Sequence, residues 1–370
     1  MISNPPGSNY RLLSLDLMRG LIMILLAGEA ARLYSALNKL EIQGLGAMLV
    51  DQFFHHPWHG LRFWDLVQPA FMLMAGSAMY ISYHFKLKKG ISWSDNLSHV
   101  IVRCVKLFIF GTALHCIYAG KLVWELWNVL TQLSVTTLIA YLIIRTSWKF
   151  QILCSLFLLV ITELLYRNLD IPGFDQPFVM GKNVGSYFDI LLMGKINSDG
   201  WVTINVIPTA AHTIWGVLAG KLLVSGHKWS YKIRILVISG LIGLVAGYAL
   251  DLASITPIIK RISTSSFTLV TGGWVLLILA FLYWLTDVKK YNSYAWIFVV
   301  VGMNAIFIYM FFETIGAHWL NDTIGIFVKG FAARLGVGEK WQAILTALVT
   351  LGFEWNLCYW LWKKKIFFKL

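Results

Sequence analysis

The chain has 370 residues, of which 58% are hydrophobic and only 13% charged, with a net charge of +13. Soluble domains carry about a quarter charged residues, so this balance excludes an ordinary soluble protein and points to a polytopic membrane protein. The basic excess does not indicate nucleic acid, because Lys and Arg fall in short runs between apolar segments, where they set topology.

In chain order, a window of about 19 residues gives about ten candidate spans. They lie near 12–34, 61–84, 98–118, 127–145, 148–166, 204–224, 233–253, 267–286, 295–313 and 341–362. The first, "LMRGLIMILLAGEAARLY", is interrupted by Arg19 and Glu29 and lacks a clean cleavage site, so we read it as a retained span. Segment 319–337, with Lys329 and Arg334, reads as interfacial or re-entrant. The expected fold is an all-α polytopic integral membrane protein, one transmembrane domain over 1–370, with an outer loop at about 167–203. The basic runs Lys86/Lys88/Lys89, Lys228/Lys232/Arg234, Lys289/Lys290 and Lys363/Lys364/Lys365, with Arg11 and Lys369, place both termini in the cytoplasm. Cys104, Cys116, Cys154 and Cys358 form no CxxC pair and read as inert buried thiols.

Ionisable groups at membrane depth are functional candidates by default. Asp16 and Arg19 are three residues apart and share a helix face. Arg62 and Asp65 have the same spacing, and Pro69 one turn later is expected to kink that helix. Each pair reads equally as a structural clamp. His212 and Asn304 read equally as interhelical hydrogen bonds, and "GLIGLVAG" and "GVLAG" as close-packing helix faces. The group His55, His56 and His59 stands before the 61–84 span. It lacks the companion ligands of a metal site, so no metal is expected. Imidazole titrates near neutral pH, which suits a proton acceptor. If the helix began near Trp58, Asp65 would lie about 10 Å below its start, and His55 would have to fold back to reach it.

Two stretches carry a family resemblance. "LLSLDLMRGLIMILL" resembles the opening motif of transmembrane acyltransferases. "HHPWHGLRFWDLVQPAFMLMAG" resembles the H-x-x-W-x-G-L-x-x-x-D-L-V-x-P signature of heparan-α-glucosaminide N-acetyltransferase and its bacterial relatives. "TSSFTLVTGGWVLLILAFLYWLTDV", "GMNAIFIYMFFE" and "YWLWKKKIFFKL" extend the likeness. The resemblance implies acetyl transfer from cytoplasmic acetyl-CoA to the amino group of a glucosamine-type sugar on the outer side. The signature histidine stands three residues before the tryptophan, so Trp58 fixes it as His55, with His56 as an extra neighbour. The signature aspartate is Asp65. A family asparagine falls near Ala30, where Glu29 is the adjacent polar group.

On that reading His55 is the general base, with Asp65, Glu29 and His56 in support. Arg19, Lys86, Arg103, Lys106 and Asn304 are expected on acetyl-CoA, the co-substrate. Trp58, His59 and Arg62 are expected on the sugar, with Phe174, Asp175, Phe178 and Trp201 of the outer loop. Direct transfer is favoured over an acetyl-histidine route, since a base needs fewer supporting groups. The family suggests a homodimer, and the expected location is a bacterial inner (cytoplasmic) membrane. A secondary transporter of amino sugars and an O-acetyltransferase of a cell-envelope glycan are the alternatives.

Overall fold

A computed structural model describes residues 12–368. Arg11 and Lys369, counted above among the cytoplasmic basic residues, lie outside the described residues. In chain order the helices are α1 (Leu13–Ala30), α2 (Leu33–Asn38), α3 (Leu45–Asp51), α4 (Val67–Lys88), α5 (Trp93–Ala119), α6 (Val129–Leu142), α7 (Trp148–Asn168), α8 (Val184–Met193), α9 (Val206–Val224), α10 (Trp229–Leu252) and α11 (Ser265–Leu282). A π-helical segment, Tyr283–Val288, prolongs α11. Then come α12 (Ala295–Gly302), α13 (Ala305–Phe311), a second π-helical segment (Phe312–Leu320), α14 (Asn321–Arg334) and α15 (Glu339–Lys363). Among the described residues the one isolated strand-like pairing is His59 with Ile259.

The protein is an all-α membrane protein. Six of its described helices are long and apolar enough to cross a bilayer, and seven if the bent pair Ala295–Gly302 and Ala305–Arg334 is one span. The expected spans near 12–34, 61–84 and 127–145 do not meet that measure, for visible reasons. Helix α1 carries Asp16, Arg19 and Glu29, α4 is diluted by Gln68, Ser77 and its tyrosines, and α6 has 14 residues. The bent pair turns by 75° at the break before Ala305. The residues read as interfacial or re-entrant, 319–337, contain the whole of α14 beyond that bend.

Local sequence explains the helix ends. Ser92 and Asp95 form a reciprocal cap on α5: Asp95 N donates to Ser92 Oγ (3.1 Å) and Ser92 N to Asp95 Oδ2 (3.3 Å). Asn128, Ser147 and Asn183 cap α6, α7 and α8 in the simpler way. Pro69 corrects an expectation. It sits in the first turn of α4, where a missing N–H costs nothing, so it begins the helix rather than kinking it.

The chain divides into two compact units. One runs to Phe54 and resumes at Phe281; the other is His55–Ala280. In the second unit, α4 and α9 pack backbone to backbone. A Cβ at Gly76 would stand 2.0 Å from the Thr213 carbonyl oxygen, and one at Gly216 2.0 Å from that of Leu73. Ser77 Oγ donates to Gly216 O across the seam (2.9 Å). "GLIGLVAG" makes the same close approach to α11 around Gly273. His212 bridges helices too, its Nε2 lying 3.0 Å from Thr268 O and 3.1 Å from Thr271 Oγ1.

In the first unit, α1 packs on α12, and a Cβ at Gly20 would overlap the Phe298 carbonyl. Asp287 accepts from the Leu13 and Ser14 N–H groups (3.1 and 3.0 Å), supplying partners for two donors at the α1 start. Asp16 and Arg19 pair at 3.5 Å, as their spacing predicts. Asn304 is buried; it donates to Ile366 O (3.1 Å) and accepts from Phe368 N (3.0 Å), so it ties down the C-terminal segment.

Candidate active site

The histidine segment lies in the second unit, where the chain makes a 3₁₀ turn, Phe63–Leu66, before α4. That late helix start overturns the expected separation of His55 from Asp65. Asp65 sits in the turn instead of deep in a helix, and His55 reaches it directly: Nδ1 lies 3.1 Å from Asp65 Oδ1. The carboxylate also accepts from Arg62 N (2.9 Å) and His56 N (3.3 Å), and it is fully buried. Asp65 therefore serves His55, while the Arg62 guanidinium reaches the His55 carbonyl (3.3 Å).

The remaining signature residues build this geometry. Gly60 has φ +141°, and a Cβ there would strike the His56 ring, so the position requires glycine. Trp58 packs over Gly200 and donates from Nε1 to Phe178 O (2.8 Å), which anchors the 167–203 loop to the site. Around it a small core of Tyr166, Val184, Val202, Ile259 and Ile262 forms. Trp201, from that loop, sets its ring edge-on to His55 at 5.9 Å. His59 turns away, with Nε2 2.7 Å from Asp251 Oδ1 at the end of α10. Thus His55 pairs with Asp65 and His59 with Asp251, while among the described residues the buried His56 Nδ1 finds no hydrogen-bond partner. Among the described residues no group of three or more His, Cys, Asp or Glu could hold a metal ion.

One residue escaped the sequence reading. Lys260 Nζ lies 2.9 Å from His55 Nδ1 and 3.4 Å from Asp65 Oδ1, and its side chain is 5% exposed. It sits 5.6 Å from the centre of the Trp201 ring. Nothing in "SITPIIKRISTSS" marks this lysine, since pattern arguments assign a loop lysine to solvent. A chain of carboxamides was also missed. Gln68 donates to Gln132 Oε1, Gln132 Nε2 to Asn205 Oδ1 (2.7 Å), and Asn205 Nδ2 to Arg261 O (3.3 Å). All three are buried and run from beside the site into the helices.

Burial, then the Lys260 charge, push the His55 imidazole down to about 4, against the opposing pull of Asp65. His56 is lowered as well, first by burial and then by Arg62. A neutral imidazole held through Nδ1 presents Nε2 for chemistry. Among the described residues no polar group bonds that nitrogen, and the His55 side chain is 35% exposed.

The other expected residues fall elsewhere. Lys86 lies at the far end of α4 and donates to Asn96 Oδ1 (2.6 Å), which in turn donates to the Tyr141 hydroxyl (2.9 Å). Arg103 and Lys106 lie on α5 of the same unit. Across the 22 residues of α4 that end is about 33 Å from the Asp65 turn. Arg19, Glu29 and Asn304 belong to the other unit, with Glu29 exposed in the last turn of α1.

A family model described as heparan-alpha-glucosaminide N-acetyltransferase, catalytic, matches residues 11–248. The chain belongs to this family. Two similar proteins are the heparan-alpha-glucosaminide N-acetyltransferases of Mus musculus and Homo sapiens. Each is 23% identical over 432 residues, covering 98% and 97% of this chain and 61% and 60% of the relative. The chain thus spans about three fifths of the length of these relatives. The heparan-alpha-glucosaminide N-acetyltransferase match includes His55, Trp58 and Asp65 and stops short of Lys260.

Proposed function

We propose that this chain is a transmembrane N-acetyltransferase. It moves acetyl from cytoplasmic acetyl-CoA to the amino group of a glucosamine-type sugar on the outer side, with His55 as general base. The observation that carries this reading is the His55–Asp65 pair, set at the head of α4 inside the family signature. Asp65 accepts a hydrogen bond from Nδ1–H and fixes the tautomer, so Nε2 holds a lone pair toward the acceptor. Nε2 accepts the proton of the attacking amine. The amine nitrogen bonds to the thioester carbonyl carbon, and the carbon–sulfur bond breaks. The departing thiolate takes the proton from His55 and leaves as free CoA. The products are the N-acetyl sugar and the thiol.

Support for the two-sided arrangement comes from charge. The Asp65 turn and the basic end of α4, with Lys86, Lys88 and Lys89, stand at opposite ends of one helix. Ammonium groups there are suited to the phosphates of CoA, together with Arg103 and Lys106. Gln68, Gln132 and Asn205 offer buried amide partners along the way to the thioester. Glu29 and Arg19 in the other unit, Trp58, His59 and Arg62 beside the acceptor, ten spans, cytoplasmic termini, a homodimer and a bacterial inner membrane complete the reading.

The deciding assay uses the purified full chain with acetyl-CoA and glucosamine, reading free thiol. Acetylated sugar and thiol should appear together, and His55→Ala should abolish both. Proteoliposomes that accumulate labelled sugar without releasing CoA would identify a transporter instead.

A further inference from the structure

Lys260 owes its position to a short zipper between two loops. Gly60 N donates to Ile258 O (2.8 Å), and His59 and Ile259 form the isolated antiparallel bridge. Asp251 reinforces it by taking both His59 Nε2 (2.7 Å) and Ile258 N (2.9 Å). Ile259 is buried in the core around Tyr166 and Val202. In extended chain the next side chain points to the opposite face, which is where His55 stands. Ser263, at φ 50°, closes the turn behind the lysine, with its N–H and its hydroxyl both donating to Lys260 O (2.9 and 3.1 Å).

The Nδ1 atom of His55 has one lone pair or one proton, and two neighbours want opposite things from it. Asp65 needs Nδ1–H; the Lys260 ammonium needs a bare Nδ1. With Nδ1–H on Asp65, Nε2 is a base. With Lys260 donating to Nδ1, Nε2 carries the proton. The imidazolium, protonated at both nitrogens, sets an N–H against an ammonium 2.9 Å away. The charged and titratable groups facing His55 are Asp65 and Arg62 from the turn before α4, and Lys260 and Arg261 from the loop after α10. His56 and His59 come from its own segment, and Trp64 and Trp201 are its uncharged walls.

We propose that Lys260 is a positioning residue for acetyl transfer, which keeps the His55 ring unprotonated between turnovers and makes it hand its proton on to the departing thiolate. The proposal rests on the reading of His55 as the base. Lys260 touches neither reacting group in this role; it acts through the ring.

Two measurements on the full chain in detergent test it. The first is labelling of His55 by diethyl pyrocarbonate across pH without substrates, read by peptide mass, since only neutral imidazole reacts. In the wild type, labelling should persist undiminished to about pH 5; loss centred near about pH 6.5, the ordinary histidine value, overturns the proposal. In Lys260→Met the midpoint should move up by about one pH unit or more, and in Lys260→Arg it should stay. The second is the pH profile of thiol release, in which the lower acidic break belongs to His55 and the upper to the acceptor amine. Lys260→Met should raise the lower break and leave the KM for acetyl-CoA unchanged. An unmoved break overturns the proposal. If Lys260→Met does not fold, Lys260→Gln takes its place in both measurements, and an unmoved labelling midpoint in that variant overturns the proposal. If His55→Ala retains transfer, the base assignment fails, and the labelling curve still reports whether Lys260 governs the ring.

Discussion

At the residue scale, the centre of this protein is one imidazole with a carboxylate and an ammonium on the same nitrogen. Burial and the Lys260 charge depress His55 to about 4. A base with a lowered value stays competent as pH falls, because it is lost only when pH drops through that value. Transfer by the wild type should therefore retain its His55-dependent factor at pH 5 and lose it near pH 4, as read from the lower acidic break. Asp65→Asn removes the acceptor for Nδ1–H and leaves Lys260 buried without its counter-charge. Acetyl transfer should fall by about a hundredfold or more, because the wrong tautomer then dominates. Stability should drop by about 3–5 kcal/mol, the usual consequence of breaking a buried ion pair, measured by thermal unfolding in detergent. His59 offers a contrast. Its side chain is half exposed and its partner is Asp251, so His59→Gln should weaken the loop zipper and raise the KM for the sugar, with a smaller loss of thiol release than His55→Ala.

At the element scale, the site depends on helices whose backbones touch. Helices α4 and α9 meet at Gly76 and Gly216, where any side chain would overlap a carbonyl of the partner. Gly76→Ala must push the two helices apart, and overpacking of this kind costs typically about 1–3 kcal/mol. The expected outcome is a lower melting temperature and lost transfer, even though residue 76 lies far along α4 from Asp65. Gly330 in α14 has open space around it, so Gly330→Ala should leave both unchanged. The 3₁₀ turn before α4 matters as much. A helix begun at Trp58 would carry Asp65 into its interior; the turn places it beside His55 instead.

At the scale of the whole molecule, the proposed reaction needs a donor and an acceptor from opposite faces of a membrane. The His55–Ala280 unit places its histidine site and its Lys86–Lys89 cluster at opposite ends of α4. In a cysteine-free background, Pro57→Cys should react with an impermeant thiol reagent on intact cells. Lys89→Cys should react only after permeabilisation. Labelling of both from the same side would remove the two-sided mechanism.

Composition alone determined the membrane class, because a chain this poor in charge leaves no soluble fold in which to bury its apolar segments. The spacing from His55 through Trp58, Gly60, Asp65 and Pro69 carried the family and singled out the proposed base, since those positions are fixed by local turn geometry that a sequence records. The small-residue faces of α9 and α10 were legible for the same reason. Helix starts were less so: apolar residues run on through the 61–84 stretch, and hydropathy cannot distinguish a 3₁₀ turn from the helix behind it. Lys260 was beyond reach. Its place beside His55 is set by hydrogen bonds between loops almost 200 residues apart in the chain, and its charge is buried only because Asp65 and Trp201 are already there. Sequence periodicity describes one segment at a time, whereas the pairing of a buried cation with its partners exists only once distant segments have met.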